Sequence, residues 1–163
     1  MIKGSESARL CKPRLAVYGL SNRLAKPVIF ATFIGSPKMN FVPTVVTKAG
    51  ESTLQLETYD GQSLTIPGNY LNLTSGTSLM LGIRPEHIEV DSTMPIALDF
   101  QSEVVERLGN STYLFGQTAG IDGFKIHLTG DCEVDKFSKI KVGFAPNRVH
   151  LFDDQGLRVS QIV

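Results

Sequence analysis

The chain has 163 residues, enough for one ordinary domain or two very small ones. Its 42% hydrophobic and 20% charged residues are typical of a globular protein that builds a core without disulfides or metals. Sixteen basic and sixteen acidic side chains cancel, which argues against a general nucleic-acid binder, and no apolar run reaches the ~20 residues of a membrane-spanning helix.

The N-terminal part of the chain divides into an irregular segment and a short predicted helix. Residues 1–26 show no periodicity and are expected to be vector-derived or the end of a linker from a preceding domain. Residues 27–35 place apolar side chains at helical offsets, with Pro27 early and Gly35 at the end. One short N-terminal helix is therefore predicted, followed by a turn at Ser36-Pro37.

From residue 41 onward the hydrophobic period is two, which predicts short β-strands. The predicted strands are residues 41–48, 53–59, 63–67, 78–83, 96–108, 112–117, 123–128, 138–142 and 149–153. Asp60-Gly61 is the strongest hairpin signal, and other breaks are expected at residues 68–69, 109–110, 121–123 and 146–147. Many short strands predict a mainly β protein, a small barrel or sandwich.

The predicted strands divide into two groups at about residues 90–95. Each group contains several strands, so residues 27–163 could form two intertwined barrel-like lobes. No residue-level repeat is strong enough to indicate internal duplication.

The common signatures of catalysis and cofactor binding are missing. Among 15 glycines there is no Gly-Lys pair, so the chain has no P-loop for nucleotide phosphates. The three histidines and two cysteines are too widely spaced for a zinc or redox motif: His87, His127, His150, Cys11 and Cys132. We therefore predict no enzyme activity, no cofactor and no metal site within the chain.

The segment LGIRPEH, residues 81–87, places polar and rigid residues directly after an apolar strand. Pro85 ends the strand because proline lacks an N–H group, and Arg84 offers a planar set of donors with Glu86 as a partner. One interpretation is a strand end locked by an Arg–Glu pair and a capping His87. The other is a surface for a partner domain or a small anionic ligand.

Four stretches, in order, resemble one family. FIGSPKMNF (residues 33–41) is similar to the junction that follows the ATPase domain in sugar-type ABC importers, and LGIRPEH (residues 81–87) resembles the hallmark of their C-terminal regulatory TOBE domain. VVERLG (residues 104–109) and FAPNRVHLFD (residues 144–153) match two further stretches. Residues 1–26 match nothing in the family pattern.

The resemblance implies an OB-like or MOP-like β-barrel attached behind a nucleotide-binding domain. Residues 27–163 would be a non-catalytic regulatory and homodimerisation domain of an importer for carbohydrate or glycerol-phosphate-like solutes. ATP and Mg²⁺ would bind in the missing ATPase domain, which contacts transmembrane permease subunits. The location implied is the cytoplasmic face of the membrane, within the transporter complex.

The resemblance also implies roles for residues near the N-terminal end and the LGIRPEH segment. Pro37 and Asn40 would fix the exit from the connecting helix. Arg84, Glu86 and His87 would organise the centre of the fold and its contact surface.

The last strands contain four further candidates. Phe144, Pro146, His150 and Phe152 would close these strands onto the core or onto the dimer partner. Core packing is the more common role for aromatic residues in such positions.

Two functional hypotheses remain open, and a third is disfavoured. The leading one is the regulatory and homodimerisation domain, whose partners include a regulatory protein or small ligand. The alternative is a β-barrel that senses a small anion or metabolite. Single-stranded nucleic-acid binding is disfavoured because the basic residues are scattered and the chain has no Trp.

Overall fold

The computed structural model describes residues 38–90 and 93–162. The predicted helix at residues 27–35, Pro37 and the segment 1–26 lie outside the described residues. The described part consists of β-strands and two short 3₁₀ turns, which confirms the predicted mainly β class.

Among the described residues, six strands form a first sheet, in the order β11-β10-β4-β1-β2-β3. The strands of this sheet are β1 (Asn40–Ala49), β2 (Thr53–Thr58), β3 (Ser63–Pro67), β4 (Ser78–Ile83), β10 (His150–Phe152) and β11 (Arg158–Val159). Neighbouring strands are antiparallel, and alternate residues such as Leu54 and Leu56 are buried.

A second sheet contains the remaining strands of the described part, in the order β5-β9-β6-β7-β8. These strands are β5 (Ile88–Val90), β6 (Ile96–Arg107), β7 (Ser111–Thr118), β8 (Ile121–Thr129) and β9 (Lys139–Phe144). Buried apolar side chains from both sheets form one hydrophobic cluster.

Apart from β11, the two sheets repeat one topology. The order β10-β4-β1-β2-β3 corresponds to β5-β9-β6-β7-β8. The long strands β1 and β6 also bulge at corresponding places, between Val46 and Lys48 and between Ser102 and Val104. The sequence did not predict this structural repeat, because the paired strands share few residues.

The two sheets exchange strands through similar crossovers. After β4, a 3₁₀ turn at Pro85–His87 leads to β5, which pairs with β9 of the second sheet. After β9, a 3₁₀ turn at Pro146–Arg148 leads to β10, which pairs with β4 of the first sheet. Both turns begin with a proline, which lacks an N–H group and therefore ends the strand before it. The predicted division into lobes near residues 90–95 stays a prediction.

The hairpin signal at Asp60-Gly61 is confirmed, since these residues connect β2 to β3. The N–H group of Gly61 donates to the carbonyl oxygen of Thr58 (3.0 Å), and Gly61 has a φ of 85° that favours glycine. The Asp60 carboxylate accepts hydrogen bonds from Thr58 and Gln62, so the turn is held by its own side chains.

The predicted break at residues 121–123 is wrong, because these residues belong to β8. The chain turns two residues earlier, at Ala119-Gly120, where both φ angles are positive (53° and 73°). Such a tight turn usually contains Asn or Gly at its first position, so Ala119 gave no signal. Strands β5 and β11 were also not predicted, because three and two residues are too short to show a period.

Candidate functional site

The LGIRPEH segment joins the end of β4 to the first crossover. Leu81 and Ile83 are fully buried in the core, and Gly82 between them faces the other side of the first sheet, where it is also buried. Pro85 is buried at the start of the 3₁₀ turn, and its carbonyl accepts a hydrogen bond from the N–H group of Ile88. Apolar burial and this turn therefore position the polar residues of the segment.

Gly82 leaves room for side chains from neighbouring strands. A Cβ atom at this position would lie 2.7 Å from the sulfur of Met39 and 2.9 Å from the ring of Phe152. The rings of Phe41 and Phe152 meet edge to face beside it, with centroids 5.8 Å apart. A larger residue at position 82 would displace this aromatic pair.

The Arg84–Glu86 pair is long and partly exposed. The Arg84 Nη1 atom lies 3.9 Å from Glu86 Oε1, and both side chains are about one-third exposed (34% and 36%). Exposed pairs of this kind contribute at most about 1 kcal/mol. Much of the Arg84 guanidinium therefore remains able to contact a partner or an anion.

Four basic side chains lie together on this side of the first sheet. We call Arg84, His87, His150 and Arg158 the basic cluster. His150 pairs with Gly82 across β10 and β4, and Arg158 pairs with Phe152 across β11 and β10. The strands thus place His150 between the arginines.

The electrostatics of His150 reflect this arrangement. Burial lowers the pKa of His150, and the positive charges of Arg158, Arg84 and His87 lower it further. Close by, the Nδ1 atom of His87 is buried and has no hydrogen-bond partner among the described residues. The cluster therefore has more positive charge and donor capacity than its own contacts use.

The sequence did not single out Arg158, the fourth member of the basic cluster. Its strand, β11, has two residues and shows no periodic pattern. The available signal was its spacing from Phe152, since a short turn at residues 153–157 can place Arg158 opposite that residue. Asp153 holds this turn by accepting hydrogen bonds from the N–H groups of Gln155 (2.9 Å) and Leu157 (2.8 Å).

Asn40 lies at the start of β1, 7% exposed, and binds the other sheet. Its side-chain amide donates to the carbonyl oxygen of Lys125 (2.7 Å), and its side-chain oxygen accepts the Lys125 N–H group (2.9 Å). Asn40 thereby satisfies the backbone of the free edge of β8. This contact fastens the first sheet to the second.

The three remaining candidates occupy different environments. Phe144 is fully buried in the shared core. Pro146 begins the second 3₁₀ turn, and Phe152 packs against Phe41 on the outer side of the first sheet. Phe152 lies beside the basic cluster, because it pairs with Arg158 across β10 and β11.

The described residues contain no group of three or more side chains suited to hold a metal ion. In the same part of the chain, no helix is long and apolar enough to cross a membrane. One open cleft of about 760 Å³ is lined by Gln62, Asp99, Gln101, Gln117 and Lys141 among others.

Comparison with known proteins identifies the domain. The family model for the MalK OB fold domain matches residues 35–88. Over these residues the chain is similar to the C-terminal OB-type domain of sugar ABC-importer ATP-binding subunits. The matched region includes the LGIRPEH segment, with Arg84 and His87.

Several curated relatives share the name maltose/maltodextrin import ATP-binding protein MalK. The protein of Yersinia pestis bv. Antiqua (strain Antiqua) is 36% identical over 133 residues, covering 81% of this chain and 36% of the relative. That of Photorhabdus laumondii is 31% identical over 163 residues, covering 99% of this chain and 43% of the relative. The chain thus spans well under half the length of these MalK proteins.

A solved structure shares the fold. The molybdate-binding protein ModG superposes with a TM-score of 0.57 over 69% of this chain and 94% of ModG, at 12% sequence identity. At this identity the likeness concerns the fold alone, and it supports the OB-like β-barrel class of the MalK OB-type domain.

Proposed function

We propose that this chain is a non-catalytic regulatory and homodimerisation domain of the ATP-binding subunit of an ABC importer for carbohydrate. The single observation that carries the proposal is the match of residues 35–88 to the MalK OB fold domain. The names of the relatives favour maltodextrin-type solutes over glycerol-phosphate-like ones.

In this proposal the domain acts as a tether. Two copies that remain associated hold the attached ATPase domains near each other while those domains open and close. Short connections give an effective concentration of roughly millimolar for reassociation, so the ATPase halves need not find each other by diffusion. ATP and Mg²⁺ belong to the ATPase domain, which would contact permease subunits at the cytoplasmic face of the membrane.

The chain itself supplies features that fit a regulatory role. The crossovers into β5 and β10 join the two sheets around one hydrophobic cluster. A regulator that binds one arrangement of the subunits better than another shifts the equilibrium between them.

Sedimentation equilibrium and nucleotide-binding measurements on the purified chain test the proposal. We expect self-association at high micromolar concentration, and neither binding nor hydrolysis of Mg-ATP. A strict monomer at those concentrations would remove the homodimerisation role. Turnover of ATP by the purified chain would contradict the non-catalytic role.

A second candidate function is the sensing of a small oxyanion, and the basic cluster is the observation that favours it. Arg84 and Arg158 offer charged donors on either side of His150 on the first sheet, and burial and their positive charges lower the pKa of His150. Guanidinium groups are well suited to bind phosphate, sulfate or carboxylate.

Thermal denaturation with millimolar phosphate, sulfate, molybdate or sugar phosphate tests this second function. Specific binding raises the melting temperature as ligand concentration rises, and Arg158→Met should abolish the increase. A neutral sugar serves as the control ligand. If none of the anions raises the melting temperature of the unchanged chain, the sensing hypothesis fails.

A further inference from the structure

One outer surface of the second sheet carries aromatic side chains that are only partly buried. We call it the aromatic face, and it consists of Val104, Glu106, Tyr113, Phe115, Lys125 and His127. Pairing in the sheet aligns these residues in two rows, Val104–Phe115–Lys125 and Glu106–Tyr113–His127. All six point away from the core, because the buried residues of β7 and β8 alternate with them.

The rings on this face contact neighbours within the same surface. Tyr113 and His127 stack with centroids 4.6 Å apart, and the Lys125 ammonium lies 5.8 Å from the centroid of the Phe115 ring. Val104 is 44% exposed. Tyr113, Phe115 and His127 are partly exposed, so this face offers ring surface to the outside.

The structural repeat provides an internal control for this surface. In the first sheet the corresponding pairs are Lys48–Gln55 and Thr53–Pro67. The exposed residues Lys48, Gln55 and Thr53 therefore occupy the positions that Val104, Phe115 and Tyr113 occupy in the second sheet. The same backbone is polar in one sheet and aromatic in the other, so strand geometry alone does not require aromatic residues here.

The charges on the face are arranged for self-pairing. Glu106 and Lys125 lie at diagonally opposite corners, roughly 12 Å apart by the spacing and rise of β-strands. Neither is in an ion pair among the described residues. A two-fold axis in the plane of contact places Glu106 of one copy against Lys125 of the other, twice, when it passes between Phe115 and Tyr113 perpendicular to the Glu106–Lys125 diagonal.

We infer that the aromatic face of the second sheet is the surface through which two copies of this chain associate. The inference rests on the proposed homodimerisation function and adds the location of the contact. Aromatic side chains form the centre, as is common in interfaces, and the two Glu106–Lys125 pairs form the rim. Such symmetric, self-complementary contacts are the usual basis of dimers.

Charge-reversal variants, measured by sedimentation equilibrium on the full chain, test the inference. Glu106→Lys and Lys125→Glu should each weaken association about tenfold or more, because both rim pairs become repulsive. The double variant should restore association to near the original strength, since the pairs re-form with reversed sign. Melting curves of each variant confirm that the fold is retained.

Two further variants use the repeat as a matched control. Phe115→Gln copies Gln55 and should weaken association about tenfold. Met80→Lys, on the outer side of the first sheet, copies Lys141 and should leave association unchanged. If the unchanged chain dimerises and neither Glu106→Lys nor Phe115→Gln weakens it, the aromatic face is not the interface, while homodimerisation stands. If the unchanged chain is a strict monomer, both the interface and the homodimerisation role are wrong.

Discussion

The first and second sheets have the same strand order but place buried side chains of different size at corresponding positions. Where Thr44 of the first sheet pairs with Thr58, Phe100 of the second sheet pairs with Thr118. The buried Phe100 ring takes more space than Thr44. Two positions before Thr118 on β7, the second sheet has Gly116 where the first sheet has Leu56 on β2, and the missing side chain leaves room for that ring. The large side chain is therefore on β2 in the first sheet and on β6 in the second, and both sheets fill the shared core.

The outer surfaces of the two sheets also differ in polarity. At one end the first sheet is apolar and the second is charged, and at the other end the first is polar and the second is aromatic. On β1 and β4 the first sheet carries Pro43 and Met80, where the second sheet carries the ion pair of Asp99 and Lys141. Beyond the bulge the second sheet carries the aromatic face, where the first is polar. The shared backbone therefore constrains the core positions more strongly than the outer surfaces, which differ between the two sheets.

The largest effect is expected when a side chain is added at Gly116. A Cβ atom there would lie 2.0 Å from the backbone oxygen of Gln101 and 2.8 Å from the Phe100 ring. Gly116→Ala should therefore lower the free energy of unfolding by about 3 kcal/mol or more, measured by urea denaturation.

Gly50→Ala is the matched control for this substitution. Its added Cβ would lie 3.6 Å from the backbone oxygen of Thr53, which is an ordinary contact. The free energy of unfolding should change by less than about 1 kcal/mol. Equal losses in the two variants would contradict the packing difference between the sheets.

The next largest effect concerns Asn40, whose counterpart in the second sheet is Ile96. Asn40→Ile copies that counterpart and leaves the N–H and carbonyl groups of Lys125 without their partner. We expect a loss of about 2 kcal/mol in the free energy of unfolding. Thr47→Val, which removes an exposed 3.1 Å hydrogen bond to Gln55, should cost less than about 1 kcal/mol. An Asn40→Ile loss no larger than this control would show that the contact does not join the sheets.

The pH dependence of stability should depend on His150, at the position of Glu89 in the second sheet. Because the pKa of His150 in the folded state is lower than its ordinary value of 6.5, the unfolded chain binds the proton more readily. Stability should therefore fall as pH drops through about 6.5.

Urea denaturation between about pH 8 and about pH 5.5 measures this slope, which His150→Gln should reduce. Arg158→Met removes one of the neighbouring positive charges and should reduce it in part. An unchanged slope in His150→Gln would mean that other groups cause the acid sensitivity.

The smallest effect is expected for the exposed ion pair of Asp99 and Lys141. Their charged atoms are 2.7 Å apart, but both side chains are more than two-thirds exposed (69% and 68%). A double-mutant cycle with Asp99→Asn and Lys141→Met should give a coupling energy below about 1 kcal/mol. A coupling of several kcal/mol would mean that this outer surface is covered and is not solvent-facing.

Much of the fold followed from local sequence signals. Alternating residues predicted the long strands, and Asp60-Gly61 predicted its hairpin, because both depend on neighbours in the chain. The turn at Ala119 and the short strand β11 could not be predicted, since tertiary contacts impose their conformations. The sequence did not reveal the repeat because the two crossovers have only two residues in common. Gly82 corresponds to Gly143, and Pro85 corresponds to Pro146.

The candidate site was predicted in part. The sequence selected Arg84, His87 and His150, which the structure brings together, but only the pairing of β10 with β4 makes them neighbours. Asn40 was selected for a role at a helix exit, whereas its observed contact is to Lys125, 85 residues away. Contacts between residues so distant in sequence leave no periodic pattern to recognise.

The most direct test of the account is a dilution series followed by NMR on the isotope-labelled chain. Dilution from high to low micromolar concentration should move the amide resonances around Tyr113, Phe115 and His127 as the dimer dissociates. Resonances around Phe41, Met80 and Phe152 should stay in place. Shifts confined to the latter group, or none at any residue, would contradict the claim that the second sheet carries the dimer contact.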